Sequence, residues 1–220
     1  MIPLTDRHPR QPTPWVTFTL IGLLAVIYLW DRQWAVFGSR TVFTDLAARP
    51  IDIMGAFRGG DPWPLMTLVT SSFLHANLGH IVSNVLFLWV FGPRVEQRFG
   101  SGAFALLYIV FGIASALTQV FVDPASGIPM VGASGAIAGY MGCYLLLFPA
   151  QEIDAIVPPL YFLPFSLPAW VILGLWFTIQ ILFVQPGVAN WAHAGGFLAG
   201  MLAAMVAGRR NGSREEALAR

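Results

Sequence analysis

Six apolar runs, each close to the length of one bilayer crossing, occupy most of the chain: 15–30, 69–91, 101–122, 132–149, 168–184 and 191–208. A helix needs about 17–25 mainly apolar residues to cross the hydrocarbon core. The pattern therefore predicts an all-α, polytopic membrane protein built as a bundle of six transmembrane helices. Some runs are short, which calls for tilt or local thinning of the bilayer. Of the 220 residues, 56% are hydrophobic and only 10% are charged, whereas soluble domains carry about 25% charged residues. Residues 1–14, rich in proline, read as a flexible tail, 15–208 as the six-helix domain, and 209–220 as a charged tail.

Charge narrows the function classes. A formal net charge of +1 offers nothing for nucleic acid to bind. Every basic residue is arginine, so Schiff-base chemistry and Ser–Lys dyads are excluded. The single cysteine, Cys143, excludes an intrachain disulfide and reads as a buried thiol facing away from Ser134. The polar, proline-rich start argues against a secretory signal peptide. With six spans both termini share one side, together with Arg94 and Arg98, and that side holds Arg7, Arg10, Arg209, Arg210, Arg214 and Arg220 as well. Arg32, Arg40, Arg49 and Arg58 fall on the other side, in one long connection. Both termini are therefore expected in the cytoplasm. That connection, 31–68, mixes Trp34, Phe37, Phe43, Phe57 and Trp63 with charges, as a segment lying in the interface would.

Polar side chains at membrane depth are costly and each needs a reason. Three groups stand out. In "SSFLHANLGHIVSN", residues 71–84, Asn77, His80 and Asn84 fall on one helical face, while His75 lies nearer the edge. Ser134 lies in "GASGAIAGYMG" among Gly135, Ala138, Gly139 and Gly142, a helix small on almost every side. His193, in "ANWAHAGGFLAG", shares a face with Gly196, Gly200 and Ala204, a small-residue stripe that lets two backbones approach. Interhelical hydrogen bonding and close packing account for each group taken singly. Their depth argues for more. All three sit at the start of spans that run in the same direction, so they meet near one leaflet.

Serine becomes nucleophilic when a base takes its proton, and neutral imidazole at hydrogen-bond distance suits that task. A carboxylate usually orients the histidine, yet all eleven acidic residues fall outside the predicted spans or at their ends. A Ser134–His193 dyad is expected. His80, Asn84 and backbone N–H near Ser134 are then available to bind an oxyanion. No metal and no cofactor are expected, because no carboxylate or thiolate stands by to complete a ligand set with the histidines.

At this point the sequence resembles the rhomboid family of intramembrane serine proteases. The likeness rests on "GASG" with Ser134, "HIVSN" with His80 and Asn84, "AHAGG" with His193, and "VEQRFG" with Glu96 and Arg98 after span two. The resemblance implies that Ser134 is the nucleophile and His193 the general base and acid. His80, Asn84 and the Ser134 backbone would form the oxyanion hole. Gly132 and Gly135 would shape the nucleophile turn, and Gly196 would allow spans four and six to touch. Glu96 and Arg98 would tie a cytoplasmic loop. It further implies transmembrane-helix protein substrates entering beside span five, a lipid environment in the plasma or inner membrane, and a site open to the outer side. Two departures matter. Ala138 stands where some members place an aromatic ring against the histidine, and Phe57-Arg58 is only a partial echo of a Trp-Arg pair in the first loop.

Two other functions compete with proteolysis. A catalytically dead relative that binds transmembrane helices should lack the serine or the histidine. A small-solute transporter should show polar groups along the whole depth, whereas the later halves of spans four and six, "GCYLLLF" and "MLAAMVA", are nearly free of them.

Overall fold

The computed structural model describes residues 2–6, 13–39, 43–156, 165–183 and 187–218. Six long helices dominate: α1 (Trp15–Asp31), α2 (Leu78–Phe99), α3 (Ser101–Val122), α4 (Ser134–Leu147), α5 (Ala169–Leu182) and α6 (Asn190–Leu218). Among the described residues three stretches are long and apolar enough to cross a membrane: α2, α3 and the Asn190–Gly208 part of α6. Helices α1, α4 and α5 are apolar but shorter. With 14 residues each, α4 and α5 reach only about 21 Å at 1.5 Å per residue.

The short helix α4 is the centre of the bundle. Every residue from Gly135 to Tyr144 is buried, because neighbours close on it from all sides. A Cβ on Gly196 would overlap the carbonyl of Gly135, and one on Gly200 would overlap that of Gly139. Glycine thus sets the α4–α6 distance by backbone contact. Toward α3, Gly139 lies against the Phe111 ring and Gly135 against Ser115. Tyr140 stacks on Phe104 with centroids 4.1 Å apart, and its hydroxyl donates to the Phe104 carbonyl at 2.8 Å. Cys143 is buried as expected, and its thiol lies 3.1 Å from the Gly200 carbonyl of α6.

The second helix is displaced from the span hydropathy marks. Asn77 is extended and its Oδ1 accepts from the His80 N–H at 2.9 Å, which caps α2 and starts it at Leu78. Ahead of it the chain forms three short helical turns, Trp63–Met66, Thr67–Thr70 and Ser71–Phe73, then turns extended at Leu74. Gly100, at φ +81°, ends α2. Two expectations change as a result. Asn77 is a cap rather than a member of the His80–Asn84 stripe. Glu96 and Arg98 lie in the last turns of α2 rather than in a loop beyond it.

The expected all-α architecture also carries a small antiparallel sheet, β1 (Ile2–Asp6), β2 (Glu152–Ile156) and β3 (Phe165–Pro168), in that order. In β2, Ile153 and Ala155 are buried while their neighbours are not, the period-two pattern of a strand. Strand β1 thus occupies part of the stretch read as a tail. Its Asp6 accepts from the Tyr144 hydroxyl at 2.7 Å and faces Arg94 at 3.6 Å. Helix α6 likewise runs on into the stretch expected as a charged tail. Arg7, Arg10, Arg40 and Arg220, used for orientation, lie outside the described residues. In the 31–68 connection the chain forms short helices at Phe43–Leu46 and Pro50–Phe57, with Trp34, Phe37, Phe57 and Trp63 exposed.

Candidate active site

Ser134 is the first residue of α4. Gly132, at φ +131°, turns the chain into it, and a Cβ there would strike the His80 ring at 2.7 Å. Glycine is required at this position on both counts. The Gly132 N–H donates to the Ser71 carbonyl at 2.9 Å, fixing the turn. N–H groups in the first turn of a helix have no intrahelical acceptor, so the backbone around Ser134 presents donors beside its own hydroxyl.

His193 stands in the first turn of α6. Its Nε2 lies 2.8 Å from Ser134 Oγ, a distance set by the glycine contacts between α4 and α6. His80 and Asn84 occupy the first two turns of α2. The Ala76 N–H points at His80 Nδ1 at 3.4 Å, which leaves Nε2 as the protonated nitrogen. Asn84 is buried, and its Nδ2 has no hydrogen-bond partner. Ser134, His193, His80 and Asn84 together line a cavity of about 240 Å³ closed by Phe87, Met141 and Trp176. A second cavity, about 270 Å³, reaches the same serine past Ser71, Ser72, Asn77 and Ser115. Among the described residues no group of three His, Cys, Asp or Glu side chains could hold a metal ion.

Four features of the site escape the sequence reading. The first is Gln180 of α5, whose Oε1 lies 2.8 Å from His193 Nδ1. Asn190 is the second: its Nδ2 donates to Gln180 Oε1 at 3.2 Å and to the Phe183 carbonyl at 3.3 Å. Gln180 is the one amide in the apolar run "AWVILGLWFTIQIL", and the cost of a polar group there was the available signal. Trp176, also from α5, puts its ring centroid 5.8 Å from that of His193. An aromatic ring therefore flanks the imidazole from α5, where Ala138 of α4 provides none.

The fourth is the anchor of the approach to α2. Arg58 is exposed, whereas Arg32 is buried. It pairs with Asp31 at 3.0 Å, donates to the His75 and Ala76 carbonyls at 2.9 and 3.0 Å, and lies 3.8 Å from the Tyr28 ring centroid. His75 itself is buried with neither ring nitrogen bonded. Burial first, then the neighbouring His80, pushes its pKa down to about 3.

At the opposite end of the bundle Glu96 is buried and fully engaged. It accepts from the N–H groups of Val16 and Thr17 at 3.0 and 2.7 Å, and from the Thr17 and Ser101 hydroxyls at 2.8 and 2.6 Å. The carboxylate ties the starts of α1 and α3 to the end of α2, where helix N-termini favour negative charge. Arg98 reaches the Ala207 carbonyl of α6 at 3.5 Å.

A helical membrane bundle with a serine and a histidine in contact at the starts of two glycine-packed helices defines a narrow class, and comparison with known proteins agrees with it. The sequence matches the Rhomboid domain over residues 62–210, and the chain belongs to the rhomboid family. It is similar to Rhomboid protease GluP of Bacillus subtilis (strain 168), 32% identical over 149 residues covering 68% of this chain and 27% of that protein. RHOMBOID-like protein 6, mitochondrial, of Arabidopsis thaliana is 32% identical over 157 residues, 68% of this chain and 45% of that protein. Rhomboid protease GlpG of Photorhabdus laumondii subsp. laumondii is 29% identical over 203 residues, 89% of this chain and 62% of that protein. The chain thus spans less than two thirds of the length of these relatives. The family and the apolar helices make it a multi-pass integral membrane protein.

Proposed function

We propose that the chain is an intramembrane serine endopeptidase, working without metal or cofactor, that cleaves membrane proteins in or near their transmembrane helices. The observation that carries this reading is the 2.8 Å contact between Ser134 Oγ and His193 Nε2, facing the unpartnered Asn84 Nδ2 across one cavity. In the proposed reaction, Nε2 takes the Ser134 proton as Oγ attacks the scissile carbonyl carbon. The oxyanion is held by Asn84 Nδ2–H, His80 Nε2–H and the Ser134 N–H. The C–N bond then breaks as Nε2–H protonates the leaving amine. Water gives a proton to Nε2 and attacks the acyl ester, and Ser134 recovers its hydrogen as the acid leaves.

The cavity past Ser71, Ser72 and Ser115 suits that water, and the one closed by Phe87, Met141 and Trp176 suits a small substrate side chain. The scissile segment must leave helical geometry to be attacked, so substrates with small, helix-destabilising residues are expected, entering beside α5. In this reading both termini are cytoplasmic and the Ser134 end faces the outer side of a plasma or inner membrane, within the 15–208 unit. Gly132, Gly135 and Gly196 shape the serine turn and its approach to α6, and Glu96 and Arg98 hold the cytoplasmic end.

The test is cleavage of a model transmembrane substrate in liposomes, paired with labelling by a fluorophosphonate. Wild type should cleave and label. Ser134→Ala should do neither, with a loss of at least about 10⁴-fold. Cleavage by Ser134→Ala and His193→Ala at the wild-type rate would rule the dyad out.

A further inference from the structure

His193 has a neighbour on each ring nitrogen, and only one of them belongs to the proposed dyad. Its Nδ1 meets Gln180 Oε1 at 2.8 Å. Which atom of that amide is the oxygen follows from a chain of contacts that starts at the backbone. The Phe183 carbonyl can only accept, so the Asn190 group 3.3 Å away is its NH₂. That NH₂ is also 3.2 Å from Gln180, so the Gln180 atom there is the oxygen. The same oxygen faces His193 Nδ1, which must then carry the ring proton. Nε2 is left with its lone pair toward Ser134 Oγ. One backbone carbonyl at the end of α5 thus dictates the polarity of four groups in series.

We propose that Gln180 is the positioning residue of His193, filling with a neutral amide the place a carboxylate holds in a Ser–His–Asp triad; this rests on the protease function above. The physical logic is that of depth. A carboxylate inside the bundle would carry a heavy desolvation cost, while an amide oxygen still fixes the tautomer and the ring plane. It offers less help to the imidazolium that forms during attack than a full negative charge would. The link also crosses helices. Gln180 is on α5, His193 and Asn190 on α6, and Ser134 on α4, so the seating of α5 against α6 is a condition for the correct tautomer. Of the residues lining the two cavities at the serine, only His80 and His193 titrate. A charge introduced at position 180 therefore reads out on few groups.

The experiment compares wild type, Gln180→Leu and Gln180→Glu in proteoliposomes, with Ser134→Ala as reference. Fluorophosphonate labelling is followed against pH, kcat and KM are measured on a model substrate, and ¹⁵N spectra of histidine-labelled protein report the His193 tautomer. Gln180→Leu should lower kcat and labelling about 10- to 100-fold with KM within about two-fold, and should lose the Nδ1–H tautomer. Gln180→Glu should retain more labelling and turnover than Gln180→Leu and move the acid limb of both profiles up by about one pH unit. The proposal is overturned if Gln180→Leu keeps wild-type kcat and tautomer. It is equally overturned if Gln180→Glu restores nothing and leaves the acid limb where it was, since a structural residue would behave so. A wild type that neither labels nor cleaves sinks the protease reading instead, and the tautomer comparison then still decides for or against Gln180.

Discussion

The two ends of the bundle hold polar groups in opposite ways. At the Glu96 end each carboxylate oxygen is used. Glu96 accepts four hydrogen bonds from α1 and α3, and Asp6 is shared by Tyr144 and Arg94. At the Ser134 end, Asn84 Nδ2 and both nitrogens of His75 are buried without partners. A buried polar group left unsatisfied costs about 1–3 kcal/mol, and such groups stand at the Ser134 end. Saturated groups fasten helices to each other. Unsaturated ones beside a cavity are free to act on something that enters it. The contrast separates residues expected to matter for stability from residues expected to matter for turnover.

The largest effect expected outside the dyad and Gln180 is at Asn84. Replacing it with alanine should lower kcat about 100- to 1,000-fold, the typical loss of one oxyanion donor, and should leave the melting temperature at or above that of wild type, because an unpaired donor is removed. A fall in stability with kcat intact would place Asn84 on the structural side of the comparison. Glu96→Ala should do the reverse. It strands the Val16 and Thr17 N–H groups and should cost about 3 kcal/mol of stability, read as a lower unfolding midpoint in detergent, while the surviving folded fraction labels with fluorophosphonate at the wild-type rate. Smaller again is Asp6→Ala, which frees β1 from Tyr144 and Arg94. About 1 kcal/mol is expected, with no change in kcat. A change in kcat there would mean that the sheet is coupled to the serine through α4.

Legibility from sequence follows the same division. Ser134, His193, His80 and Asn84 could be assembled because lipid makes every polar residue conspicuous, and because three helix starts sharing a direction fix their depth. The glycine contacts were legible for a related reason: small residues at i and i+4 permit close approach and nothing else. The start of α2 was not, since hydropathy averages over "SSFLHAN" while the Asn77 cap is a single local hydrogen bond. The sheet was missed because β1 and β2 are each five residues long and join segments far apart in the chain, which leaves no periodicity to count. Gln180 was missed differently. Span five reads as plain apolar helix, although one amide within it is as conspicuous as Ser134 within span four.

The smallest effect, and the finest test of the contrast, concerns His75. It stands at the unsaturated end but does not line either cavity at the serine, so its unpaired nitrogens should affect stability and not turnover. In the folded protein its pKa is about 3, against 6.5 for an ordinary histidine. Between those values the unfolded chain binds a proton that the folded chain refuses. The stability this neutral imidazole supports is therefore complete above about pH 6.5 and drains away as pH falls toward 3. At pH 6 the loss is below about 1 kcal/mol. Unfolding midpoints in detergent at pH 7.5 and 6 should drop less for His75→Phe than for wild type, since phenylalanine fills the pocket and cannot be protonated. Equal drops would show that the buried imidazole is not the group being titrated.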